Sequence, residues 1–89
     1  MEKDKRYKQV KLLISKGEIK SFNEIFDTLP KSILARDLHR KGATLTKLMK
    51  RVDKFYLRDI TAIADLLEIE LEPVLNLIIA QYTRNKTRK

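Results

Sequence analysis

Apolar residues recur along this chain with the spacing of helices, and nowhere do they alternate convincingly with period two. From Asp4 to Lys16, the residues Tyr7, Val10, Leu13 and Ile14 share one side and lysines take the other, with Gly17 as a natural stop. A second helix is predicted from Ser21, which forms a capping-box pattern with Glu24 three residues on. Its apolar positions Phe22, Ile25, Phe26 and Leu29 again fall on one face, and Pro30 ends it and provides the entry to the next helix.

Two short helices follow, about Lys31 to Leu38 and about Ala43 to Val52. The first can bury Leu34, Ala35 and Leu38, with the small Ala35 where two backbones would touch, and the second can bury Leu45, Leu48, Met49 and Val52. Two short amphipathic helices around a tight turn predict a helix-turn-helix at about residues 31–52, a motif that lays its second helix in the DNA major groove. Asp53 and Lys54 link it to a fifth helix, about Leu57 to Leu67, with Ile60, Ile63, Ala64 and Leu67 facing inward. A sixth starts near Glu72 and Pro73 and extends to about Arg84. On it Leu71, Val74, Leu75, Ile78 and Tyr82 cluster, and Leu77 and Ile79 flank them, widening the apolar arc to roughly 200°. Either this helix is buried on two sides, or its flank, Leu77 and Ile79, forms a homodimer contact; a dimer would suit DNA half-sites one helical turn apart.

Charge sharpens the picture. The formal net charge is +8, but the segment from Lys31 to Arg58 holds nine bases against two acids, whereas Asp59 to Thr83 holds five acids and no base. A face carrying Lys31, Arg40, Lys41, Lys47, Lys50, Arg51 and Lys54 would attract a polyanion and release its counterions. The plainer alternative is that these side chains only solvate helix faces. An anionic membrane is a poorer partner, because the second motif helix needs its apolar stripe for the core. Four further bases lie between Arg84 and Lys89, read as a disordered basic tail after a single helical domain of residues 1–83.

The resemblance of this segment to a known family rests on Leu34-Ala35, Leu38, Leu45, Leu48-Met49, Val52, Phe55, Ile63-Ala64, Leu66-Leu67, Ile69 and Leu71. From Lys31 to about Leu75 the chain resembles, without gaps, the lambda-repressor-like Cro/C1-type helix-turn-helix domains, also called the XRE family. The resemblance implies a compact all-α bundle of five or six helices, acting as a small transcriptional regulator on double-stranded DNA. It implies phosphate contacts at the start of the first motif helix, at Lys31 and its neighbour Ser32. It places Gly42, Ala43, Thr44, Thr46 and Lys47 at or near the groove, with Lys50, Arg51 and Lys54 near the backbone and Arg40 and Lys41 on the same basic surface. The alternative is that the threonines cap the helix and the lysines face solvent.

The turn departs from the family. His39 stands where glycine is usual, and Arg40 where an apolar residue is usual. Either His39 takes the left-handed conformation, in which histidine is enriched among non-glycine residues, or the turn is longer and Gly42 takes that role. The groove positions also lack glutamine, asparagine and arginine, so readout less sharp than a phage repressor's, or readout through DNA shape, is expected.

Other classes fit less well. With 89 residues there is room for one modest core and no separate ligand domain. A single histidine, no cysteine and no glycine-rich phosphate loop argue against an enzyme, a cofactor and a thiolate zinc site, and leave His39 as a turn residue near phosphate, with Asp37 the one carboxylate placed to orient it. Asp59, Asp65, Glu68, Glu70 and Glu72 follow no calcium-loop spacing and are expected on a solvated face away from DNA. The charged start and the lack of a long apolar stretch predict a cytoplasmic protein with no secretory signal and no membrane partner. The competing class is a protein-interaction module such as an antitoxin or accessory subunit. RNA binding is disfavoured by a scarcity of aromatics expected at the surface.

Overall fold

The computed structural model describes residues 3–87. Among them the architecture is all-α: helices α1 (Arg6–Ser15), α2 (Lys31–Asp37), α3 (Gly42–Lys50), α4 (Leu57–Leu67) and α5 (Leu71–Thr87), with 3-10 helices at Phe22–Asp27 and Val52–Lys54. The residues predicted to face inward do so. Val10, Phe22, Ile25, Leu29, Leu34, Leu45, Val52, Ile63 and Val74 are buried in one hydrophobic cluster, with Phe55 set edge-on to Phe22 at 5.2 Å between ring centres. Removing such side chains from water is what holds short helices together, since none of these is long enough to persist alone.

Three of the helices stop in the same way. After α1, α2 and α4 the chain enters the left-handed region at Gly17, His39 and Glu68. In each case the N–H of that residue donates to a carbonyl three residues back, and the next N–H donates five back: Gly17 to Ile14 and Glu18 to Leu13, His39 to Arg36 and Arg40 to Ala35, Glu68 to Asp65 and Ile69 to Ala64. These paired bonds satisfy carbonyls that a helix end leaves orphaned. Only one of the three positions is glycine. The open question at the turn is thereby answered: His39 takes φ 58°, and Gly42 is an ordinary first residue of α3.

The segment after Ser21 differs from its expectation. It forms a 3-10 helix of six residues, and the capping box is not made: the Glu24 carboxylate accepts from the Lys20 N–H at 2.6 Å, while Ser21 is buried and its hydroxyl accepts from Arg84. In a 3-10 helix residues i and i+3 lie one above the other, which puts Phe22 and Ile25 together into the core in a segment too short for two α-turns.

Helix α5 runs further than expected. Residues 84–87 continue it, because Arg84 donates to Ser21 and to Glu24 at 2.8 and 2.9 Å and so ties the last turns to the body; the tail reading therefore fails for them, and residues 88–89 lie outside the described residues. The helix packs on α4 and on both 3-10 helices, which buries it on two sides. Leu77, expected on a dimer flank, is 6% exposed for that reason, whereas its flank partner Ile79 is 60% exposed. Tyr82, expected on the inward face, is largely exposed as well. No helix among the described residues is long and apolar enough to cross a membrane.

Candidate nucleic-acid interface

Helices α2 and α3 pack directly on each other through the turn at residues 38–41. Helix α3 buries Leu45 completely and half-buries Thr44, Thr46, Leu48 and Met49. The periodicity of the helix then leaves Ala43, Lys47 and Lys50 on a single outward face, with Lys41 and Gly42 exposed at its start. Thr46 bridges the two helices: its hydroxyl bonds the Gly42 carbonyl at 3.1 Å and lies 3.4 Å from the ammonium of Lys31 at the start of α2. Ser32 is exposed beside Lys31.

Both ends of α3 are fixed by side chains from elsewhere. At its start, one guanidinium nitrogen of Arg40 donates to both carboxylate oxygens of Asp59 on α4, at 2.9 and 2.7 Å. Asp59 is 7% exposed, so it belongs to the interior and not to the solvated acidic face expected of it; Asp65, Glu68, Glu70 and Glu72 are exposed as expected. Arg40 is in turn a structural clamp and not a free cation for a ligand. A buried carboxylate must be paired, and Arg40 is the group within reach. At the far end, the Asn23 side chain donates to the Met49 carbonyl and the Asn85 side chain to the Met49 and Lys50 carbonyls, at 3.2 to 3.3 Å. Gln81, itself buried, holds both partners: its carbonyl oxygen accepts from the Asn23 N–H and its amide donates to Asn85. These bonds occupy carbonyls that the last turn of α3 leaves without helical partners.

The remaining expected residues fall into two groups. Lys31, Lys41, Lys47, Lys50 and Lys54 are exposed, and no carboxylate among the described residues lies within ion-pair distance of any of them. Arg51 is exposed but paired with Asp53 at 3.1 Å, and the Arg51 hydrogen bond holds the Asp53 carboxyl below its usual range. His39 is exposed, and Asp37 does not orient it: Asp37 accepts instead from the Tyr7 hydroxyl at 2.7 Å and from Arg36 at 3.0 Å.

No family model, no curated protein and no solved structure matches this chain. The site is therefore read from its own geometry.

That geometry adds two residues that periodicity had not marked. Tyr56, immediately before α4, is 59% exposed, with the Arg40 guanidinium 5.6 Å and the Arg58 guanidinium 5.1 Å from its ring centre. Arg40 adjoins the start of α3, so Tyr56 and Arg58 extend the basic surface past that end. The expected scarcity of surface aromatics does not hold, since Tyr56 and Tyr82 both lie outside. The signal available in sequence was the run Phe55-Tyr56-Leu57 at a helix start, of which only Phe55 is buried.

Proposed function

We propose that this protein binds double-stranded DNA with the outward face of α3 in the major groove, acting as a small transcriptional regulator of the lambda-repressor-like, XRE type. The observation that carries the reading is the combination on α3 of a held backbone and free charge. Its ends are clamped by Arg40 and Asp59 at one side and by Asn23 and Asn85 at the other. Its outward face presents Lys47 and Lys50, flanked by Lys31, Lys41, Lys54 and Arg58, without acidic partners among the described residues. A reading helix needs both properties, since base contacts demand a fixed pose and phosphate contacts demand uncompensated charge.

In this reading Lys31 and Ser32 meet phosphate at the start of α2. Gly42, Ala43, Thr46 and Lys47 lie nearest the bases, Ala43 offering its methyl to thymine and Lys47 its ammonium to guanine. Lys41, Lys50, Lys54 and Arg58 follow the backbone. Thr44 is half-buried and has a supporting part. With one strong polar reader, discrimination between sequences is modest and leans on DNA shape.

A salt titration of duplex binding is the test. Affinity is expected to fall linearly in log–log form with a slope of about −0.9 for each phosphate neutralised, and Lys47→Ala is expected to weaken binding with helical content unchanged. Absence of duplex binding at low salt would defeat the proposal.

A further inference from the structure

The face of α5 that the fold leaves uncovered has an internal symmetry. Its exposed or half-exposed residues at helical spacing are Glu72, Leu75, Asn76, Ile79, Tyr82, Thr83 and Lys86. Ile79 is the centre of this stripe, with Glu72 seven residues before it and Lys86 seven residues after. Neither Glu72 nor Lys86 has an ion-pair partner among the described residues, and the ammonium of Lys86 lies 5.8 Å from the Tyr82 ring centre. An isoleucine 60% exposed in the middle of the longest helix is the apolar part of this stripe that no intramolecular packing explains.

We infer that the stripe pairs with the same stripe of a second copy of this chain, the two α5 helices running antiparallel with Ile79 of each at the twofold axis. Seven residues of helix span about 10 Å, so antiparallel alignment brings Glu72 of either copy level with Lys86 of the other. Leu75 then comes level with Thr83, and Asn76 with Tyr82, so apolar and amphipathic side chains surround the isoleucine pair. Parallel alignment would put Glu72 against Glu72 and Lys86 against Lys86. The charges therefore select one direction, and the surface is complementary to itself, as an interface with a twofold axis requires. Leu77 takes no part, because it is spent inside the domain. The same placement of charge also suits the dipole of α5 within one chain, so molecular mass and not stability is the informative readout.

Sedimentation of the full chain across a concentration series tests the pairing without reference to DNA. The chain is expected to shift from monomer mass to twice that mass, and Ile79→Asp is expected to stay monomeric with unchanged helical content. Glu72→Lys and Lys86→Glu are each expected to weaken association by about tenfold, since every contact across a twofold axis is lost twice. The combined Glu72→Lys, Lys86→Glu chain should dimerise as the parent does. This charge-reversal set carries the test should Ile79→Asp alter helical content. A parent chain that stays monomeric up to about 1 mM would overturn the inference, as would single reversals without effect or a double reversal that does not recover.

Discussion

Helices α1 and α3 both carry lysines outward and a strip of apolar residues inward, yet the protein treats them differently. Around α1 the charge is answered: Asp4 pairs with Arg6 at 2.7 Å, and Glu68 at the end of α4 pairs with Lys3 at 2.7 Å. The Lys3 hydrogen bond first, and the charges of Lys11 and Lys8 with it, hold the Glu68 carboxyl below its usual range. Around α3 the one acid is Asp53, which serves Arg51 and leaves Lys47 and Lys50 without a partner among the described residues. The two helices also differ in how they are held. Tyr7 anchors α1 to Asp37 through one buried hydroxyl, while α3 is gripped at both ends by four side chains. A count of lysines does not separate the two; the placement of acids and clamps does.

The largest change should come from breaking the clamp at the start of α3. Arg40→Ala leaves the buried Asp59 carboxylate unpaired and is expected to cost about 2–3 kcal/mol in urea unfolding, with partial recovery when Asp59→Asn is added. A cost near zero would mean that α3 is no better fixed than α1. At the other end, Asn85→Ala removes two donors from the last carbonyls of α3 and is expected to cost about 1–2 kcal/mol. Faster amide exchange confined to α3 and its junction with α5 would place that loss where the account puts it; uniform acceleration would not.

At the turn between α2 and α3 the expected change has the opposite sign. His39→Gly removes a side chain from left-handed backbone and should raise stability by about 0.5–1 kcal/mol, whereas His39→Val should lower it. A destabilised glycine variant would show that the imidazole itself is needed there.

The α1 side offers the smallest effect, through pH. Burial pushes the Asp37 carboxyl up, but the Tyr7 hydroxyl and Arg36 outweigh it and hold it below its usual value of 3.8. Its folded form is thus the better acid, so its contribution is complete above that value and is lost as pH falls through the folded value. Tyr7→Phe should make the acid loss shallower. Tyr7 is pushed up, by burial first and then by Asp37, so stability should also fall as pH rises above the ordinary tyrosine value of 10.0. An alkaline limb unchanged by Tyr7→Phe would remove this tyrosine from the account.

Periodicity is strongest where one helix packs on one core, and there the fold was legible. Leu57 to Leu67 was marked by Ile60, Ile63, Ala64 and Leu67 alone, and α4 has those bounds. The stop at Gly17 was equally plain. What escaped depends on partners far apart in the chain. The Arg40 and Asp59 pair reverses the reading of both residues, yet nothing local to either announces it. Asn23, Gln81 and Asn85 look like ordinary surface amides until α3 ends among them. The end of α5 was missed because its last turns are held by Arg84 against Ser21 and Glu24, a contact between opposite ends of the sequence. Of the candidate site, the exposed lysines followed from charge and helix phase, while Tyr56 and Arg58 required the fold.

The most direct test sets the two basic helices against each other on duplex DNA. Lys47→Ala with Lys50→Ala removes two positive charges from α3, and Lys8→Ala with Lys11→Ala removes two from α1, so the two variants have equal net charge. The account predicts that the α3 variant lowers the steepness of the salt dependence by about 1.8, from 0.9 per phosphate contact, and that the α1 variant leaves it near the parent value. Equal losses from both variants would mean that net charge alone drives binding, and would contradict the claim that α3 is the helix that meets DNA.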